Sequence, residues 1–346
     1  MRRPLGTRGI GFGIGIVALA AAGMLAGCAA EREPLRIGYS DWPGWVAWEV
    51  AVQKGWFEEA GVDVEFIWFE YVPSMEAFAA GRVDAVCMTN GDAMVTGSAG
   101  KLSQAIVIND FSNGNDMCIA RAGIGSVAEL KGLRIGVEKG FVDHLLLLKG
   151  LEAAGLSEHD VELVNMPTND TPQALAAGGV DAICAWNPVA AQTLRQVPGS
   201  TPVFTSREVP GLIYDALYVD PASLAARRDD WAKVVEIWFR VVDYIRDPET
   251  QPDALRIMAA RVGTTPERYA QFLGGTQLLD LAGNVAAFRE GAGLDSIYGS
   301  SELVDRFNRD KLVYADAQEV PSYFDRTLVE GVARKVDPDL VAEVAP

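Results

Sequence analysis

The chain writes one pattern twice, and that repeat constrains its fold more than any other feature. LRIG occurs at 35–38 and again at 133–136, 98 residues on. AAGRVDAVCM at 79–88 returns as AAGGVDAICA at 176–185, 97 residues on. Between the members of each pair lie EEAGVDVEF (58–66) and EAAGLSEHDVELV (152–164). Each copy is therefore expected to run strand, helix ending at an alanine–glycine, strand, short helix, strand. Periodicity agrees: WVAWEVAVQKGWF and LLLLKGLEAAGL carry apolar residues at helical spacing and close on a glycine suited to a C-cap. LRIGY, VDVEFIWF and DAVCM are short and rich in β-branched and aromatic residues, as strands are. Strands alternating with helices make βαβ units, hence a parallel sheet flanked by helices. Two such units predict two α/β lobes, which suits 346 residues, more than a single core usually holds.

Two apolar runs bound the second copy, GNDMCIARAG (114–123) and YDALYVDPA (214–222). They read as crossover strands. The second lobe is then an insertion over 124–212, and the first comprises 35–123 plus 213–335. From SLAARRDDWAKVVEIWFRVVDYIRD onward the pattern is helical and returns to lobe one, with Trp231, Trp238 and Phe239 as core residues.

Residues 1–27 stand apart. Arg2, Arg3 and Arg8 form a basic start, GIGFGIGIVALAAAGML is an apolar core, and LAGC places Cys28 after small residues. This is a secretion signal rather than a membrane span. Its LAGC ending resembles the bacterial lipobox, which implies cleavage before Cys28, lipidation of that thiol and a tether over 28–34; an ordinary cleaved signal or an uncleaved anchor stays open. Three of the 30 basic residues and none of the 47 acidic ones precede Cys28, so the remainder carries 27 against 47, a net charge of −20. Such a surface repels nucleic acid and anionic headgroups, leaving a lipid anchor as the expected link to a membrane. Cys87, Cys118 and Cys184 remain, and an odd number is not a complete disulfide framework. Each sits in an apolar strand-like run, where a buried free thiol is expected.

The LAGC ending, LRIGYSDWPGW, KGWFEEAGVDV, FAAGRVDAV, EAAGL, ALAAGGVDAICAWNP and YDALYVDP together resemble the nitrate/sulfonate/taurine-type solute-binding proteins over about residues 35–245. The narrower likeness is to members associated with urea or guanidine use. The resemblance implies the type II periplasmic binding protein fold: α/β, two lobes, each with a parallel-rich sheet flanked by helices, joined by two crossover hinge strands. It also implies a monomeric envelope lipoprotein that hands a small molecule to an ABC permease and its ATPase, without cofactor or metal.

In open parallel sheets the ligand sits beyond the carboxyl ends of the strands, and two facing lobes turn those ends into one cleft. The loops to inspect are SDWPGW (40–45), EYVPS (70–74), TNGDA (89–93), EKGFVD (138–143), NMPTNDT (165–171) and AWNP (185–188), with Asn109–Asp110, Asn115–Asp116 and Tyr214–Asp215. Their acids are Asp41, Glu70, Asp92, Asp110, Asp116, Glu138, Asp170 and Asp215, against one base, Lys139. Their aromatics are Trp42, Trp45, Tyr71, Phe141, Trp186 and Tyr214. The expected ligand-binding set is Asp41, Trp42, Glu70, Tyr71, Asn90, Asp92, Asp116, Phe141, Trp186, Asn187 and Asp215. Asp92 and Asp170 have competing readings as helix N-caps, Trp45 reads as core, and Glu138 with Lys139 as a surface pair. Asp84 and Asp181, in the repeated VDA, are expected to fix the turn into a strand in both copies.

A nitrate or sulfonate pocket wants arginines or helix amides, and the arginines are missing from these loops. Buried carboxylates call for a cation, and aromatic faces add to its attraction. The expected ligand is a small cationic or polar nitrogen compound such as guanidinium, urea or an amine. Nitrate-, sulfonate- or taurine-type anions, or a sensing role on a signalling receptor, are the alternatives. An enzyme is disfavoured: His144 and His159 are the two histidines, His144 has no nearby nucleophile, and no GxSxG, HExxH or usable cysteine–histidine spacing occurs.

Overall fold

A computed structural model describes residues 33–342. The strands are β1 (Leu35–Tyr39), β2 (Val64–Trp68), β3 (Ala85–Thr89), β4 (Gln104–Ser112), β5 (Asp116–Ala120), β6 (Arg134–Val137), β7 (Glu162–Asn165), β8 (Ala182–Trp186), β9 (Thr201–Thr205), β10 (Tyr214–Val219) and β11 (Thr276–Leu278). They form two sheets, ordered β11-β4-β10-β3-β1-β2 and β7-β6-β8-β5-β9. The fold is α/β with two lobes. In each copy the LRIG strand is the middle of a parallel trio, β2-β1-β3 and β7-β6-β8. An antiparallel strand then extends each trio: β10 against β3 and β5 against β8.

The crossover strands therefore swap sides. β10 follows the insertion and joins the first sheet, whereas β5 precedes the second copy and joins the second sheet. The passage into lobe two falls before Asp116, not at 123/124 as expected. DMCIA pairs along its whole length with β8 and through Met117–Ala120 with β9, so it belongs to the second lobe.

The cysteine expectation is corrected as well. Cys118 and Cys184 form a disulfide, Cα to Cα 4.2 Å apart, and among the described cysteines Cys87 is left as a buried free thiol. The antiparallel β5–β8 register sets the two residues directly opposite each other, which their separation of 66 residues hid. Cys28 and its signal lie outside the described residues.

The repeated Asp–Arg pair explains why LRIG and VDA recur. The Arg36 amide donates to Asp84 (2.9 Å) and the Asp84 amide to the Arg36 carbonyl (2.8 Å). Arg134 and Asp181 repeat this at 3.0 and 2.8 Å. Each aspartate thus splices the start of the third strand onto the first. The main core lies around the first sheet, where Trp48, Trp231 and Trp238 are fully buried. The 19-residue helix Arg228–Arg246 packs its apolar face there, as its sequence predicts. Helix Ile297–Asp310 does something further: Phe307 reaches the second lobe's core, and Lys311 lies 3.6 Å from Glu158. The tail therefore buttresses both lobes.

Candidate ligand-binding cleft

The carboxyl ends of both sheets point into one cleft, and acids collect there. Asp92, Asp110, Asp116, Asp143 and Asp215 are each at most 2% exposed. Among the described residues none of the five has a lysine or arginine within salt-bridge distance. Asp116 Oδ2, Asp143 Oδ1 and Asp215 Oδ2 have no hydrogen-bond partner. Burial is the main cause that raises every carboxyl here. Asp116 and Glu138 rise to about 7, and Asp41 and Asp92 to about 6. Asp143 rises well above the usual range through burial and the charges of Asp116 and Glu138. Asp110 and Asp215 stand opposite each other across β4 and β10, and both are pushed well up by burial and like charge.

Aromatic side chains wall the acids. Trp42 Nε1 donates to Asp110 Oδ1 at 3.0 Å. Trp45 stacks on Tyr71 with centroids 5.2 Å apart, and Tyr71 meets Trp186 edge-on at 5.4 Å. Trp186 comes from lobe two, and its Nε1 also donates to Asp41 Oδ1 of lobe one at 3.3 Å. These contacts bridge the lobes, so the clamp is closed. Glycine makes the seat possible at Gly44, where a Cβ would fall 1.7 Å from Asp110 Oδ2. The PG of SDWPGW thus starts a short helix, Pro43–Val46, while leaving room for a carboxylate.

The expected residues divide into those facing this centre and those holding its frame. Asp41, Trp42, Tyr71, Asp92, Asp116, Trp186 and Asp215 come together. Phe141 lies beside Asp92, in a cavity also lined by Thr89, Val142, Val304 and Asn308; its free volume is about 10 Å³, on the scale of one water. Glu70 is exposed on the rim and accepts from Asn169 across the cleft. Asn90 spends its amide on Ser300 and Ser301 (3.0 and 3.1 Å) and its oxygen on the Tyr214 amide. Asn187 bonds Asn115 (2.8 Å) and the Ala191 amide. Both asparagines are thus engaged within the frame, and Asn90 also lines the small cavity beside Asp92.

The capping readings resolve differently from expectation. Thr89, not Asp92, caps helix Asn90–Ser98 through the Asp92 amide. Asp170 precedes helix Thr171–Ala176 but makes no side-chain cap. Glu138 is no surface partner of Lys139; it is half-buried, 3.3 Å from the Thr168 hydroxyl. Asp143 was overlooked because it reads as a first-turn acid of helix Val142–Ala153. His144 turns away from the acids, its Nε2 3.5 Å from Glu158.

A seat of buried acids inside aromatic walls can hold a small solute without reacting with it. The family model of the NMT1-like family matches residues 28–259. The chain belongs to the NMT1-like family. A putative binding protein of Brucella abortus is 29% identical over 64% of this chain and 67% of its own length. A putative aliphatic sulfonates-binding protein of Escherichia coli is 29% identical over 52% of this chain and 60% of its own. Among solved structures, the periplasmic aliphatic sulphonate binding protein SsuA from E. coli superposes with a TM-score of 0.69 over 86% of this chain and 99% of that one, at 19% identity. The periplasmic nitrate-binding protein NrtA from Synechocystis PCC 6803 gives 0.72 over 90% and 91%, at 11% identity. This member of the NMT1-like family has the fold of the periplasmic binding proteins it superposes on.

Proposed function

We propose that the cleft takes a small cationic or polar nitrogen compound, of the guanidinium, urea or amine kind, and passes it to an ABC permease and ATPase. One observation carries this: three buried aspartates with unpartnered oxygens converge where no lysine or arginine among the described residues pairs with them. An isolated buried carboxylate is strongly disfavoured, and a cation with N–H donors relieves several at once. Trp42, Tyr71 and Trp186 supply faces for a flat cation, worth roughly 0.5–2 kcal/mol each.

The names of the relatives favour a second reading, an anion such as a sulfonate or nitrate. Calorimetry against guanidinium, urea, nitrate and taurine separates the two. Micromolar nitrate or taurine binding with no guanidinium signal sinks the cationic reading. The same proposal places the chain in the cell envelope as a monomer tethered through Cys28, which globomycin-sensitive processing and labelling with a fatty-acid probe would test.

A further inference from the structure

Two helix N-termini meet across the closed cleft. Helix Asn90–Ser98 of lobe one begins at Thr89, and helix Val142–Ala153 of lobe two begins at Phe141, which gives it no side-chain cap. An uncapped helix start with its amides turned inward is a ready anion seat. Here that seat is filled from the opposite lobe. Asp92 lies in the first turn of its own helix and lines the same small cavity as Phe141 and Val142, so its carboxyl faces the start of the opposite helix. The Tyr71 hydroxyl fixes its other side, donating to Oδ2 at 2.6 Å, while the Thr89 amide holds Tyr71 at 3.1 Å. Neighbouring residues leave little freedom. Asp92 is 2% exposed, and Gly91 sits so close to Val304 that a Cβ would lie 3.0 Å from it. Beyond Asp92 lie further carboxyls, with Asp116 Oδ2 and Asp143 Oδ1 unpartnered.

Resting on the cationic reading above, we propose that Asp92 sets the charge preference of the clamp. Its carboxylate is a resident anion on the amide end of helix Val142–Ala153: it occupies the place a free anion would take, and it leaves the aspartates behind it to a cation. Because Asp92 belongs to lobe one and the helix start to lobe two, the two face each other only in the closed clamp. Asp92 is thus a specificity-determining residue, and Tyr71 is its positioning residue.

The test measures guanidinium, nitrate and methanesulfonate binding by calorimetry for the wild type, Asp92→Asn, Asp92→Gly and Tyr71→Phe, with circular dichroism confirming that each variant is folded. The expected result is at least a tenfold loss of guanidinium affinity in Asp92→Asn, and nitrate or methanesulfonate binding gained by Asp92→Gly. Tyr71→Phe should lose guanidinium affinity by a smaller factor without gaining an anion. Wild-type guanidinium affinity persisting in both Asp92 variants, with anions still ignored, overturns the role of Asp92 and leaves the cationic reading standing. Nitrate binding by the wild type overturns both. If the wild type binds no cation, the cationic reading fails alone should Asp92→Gly acquire nitrate, and Asp92 falls with it should that variant bind nothing.

Discussion

The two lobes start from the same four letters and differ where it matters for a ligand. At the base of each sheet they are near copies: Arg36 with Asp84, Arg134 with Asp181, bonded through the same atoms. The crossover strands also begin alike. Asp215 stands opposite Thr89 at the end of β3, and Asp116 opposite Trp186 at the end of β8, two positions beyond Cys87 and Cys184 in each copy. Both aspartates are buried with one unpartnered oxygen. Away from that shared pair the lobes diverge. The loop after β1 continues with Asp41 and Trp42, that after β6 with Lys139 and Gly140, and helix Asn90–Ser98 carries Asp92 where helix Val189–Gln196 carries Val189. The scaffold is duplicated, and one buried acid from each lobe is duplicated with it, while the loops and helix starts around that pair are not.

Breaking the duplicated acids should give the largest effect. Asp116→Asn and Asp215→Asn remove the charge and keep the shape. Each is expected to weaken guanidinium binding by about a hundredfold or more, in line with the loss of a buried charge partner. Each should also raise the melting temperature of the ligand-free protein, because an uncompensated buried carboxylate destabilises the fold. Calorimetry and differential scanning calorimetry read the two signs separately. If the variants lose stability while binding normally, these aspartates serve the fold and not the ligand.

The next contrast lies one step down the same strands. Cys184 faces Cys118 and is bridged to it, whereas its counterpart Cys87 faces Leu217 and is free. Cys118→Ser with Cys184→Ser should cost about 2–4 kcal/mol. Cys87→Ala should cost about 1 kcal/mol, through lost packing alone. Reductant should lower the wild-type melting temperature and leave the double variant unchanged.

Acidity offers a third contrast, since Asp41 and Asp92 of lobe one sit at about 6, and Asp116 and Glu138 of lobe two at about 7. These values are raised from 3.8 and 4.5, so between about pH 4 and 7 the folded chain holds protons that the unfolded chain has released. The stability these neutral acids provide is complete below the unfolded values and is lost as pH rises through 6 to 7. Binding of a cation runs the other way. Guanidinium affinity should rise about tenfold or more from pH 5 to 8, and the gap in melting temperature between ligand-bound and free protein should widen over the same range. A flat affinity profile would mean that the cleft acids stay neutral when ligand binds.

What could be read without coordinates follows from how local each signal is. LRIG and VDA are short-range patterns, so the strands, the lobes and the structural role of Asp84 and Asp181 were legible. Asp41 and Trp42 follow β1 and Trp186 ends β8, so their place at strand ends marks them in the sequence. Asp110 carries no such mark: it lies inside β4, where QAIVINDFS is buried along almost its whole length and no alternation tells one face from the other. Asn90 and Asn187 look like cleft residues by position, yet long-range bonds to Ser300, Ser301 and Asn115 engage them. The Cys118–Cys184 pairing depends on an antiparallel register that nothing in either segment reveals.

The smallest effect tests the most faithful part of the duplication. Asp84 faces one arginine, with Arg36 Nε 3.4 Å away, and its side chain is 27% exposed. Asp181 faces two, with Arg121 Nε at 3.1 Å and Arg134 Nε at 3.4 Å, and is 15% exposed; its carboxyl is held below the usual range, first by the Arg134 amide. Asparagine at either position still accepts from the backbone amide, so what disappears is charge. Ion pairs near the surface contribute about 0–1 kcal/mol, and the second pair at Asp181 is half exposed on its arginine side. Asp84→Asn should therefore cost less than about 0.5 kcal/mol, and Asp181→Asn about 1 kcal/mol. Raising the salt concentration should shrink the difference, because screening acts on the pairs and not on the shared amide bond. Urea denaturation of the two single variants and the double variant checks this. The losses should add, since the two splices lie in separate sheets. A loss in Asp84→Asn matching or exceeding that in Asp181→Asn would show that the strand splice itself, and not the arginines around it, carries the stabilisation in both lobes.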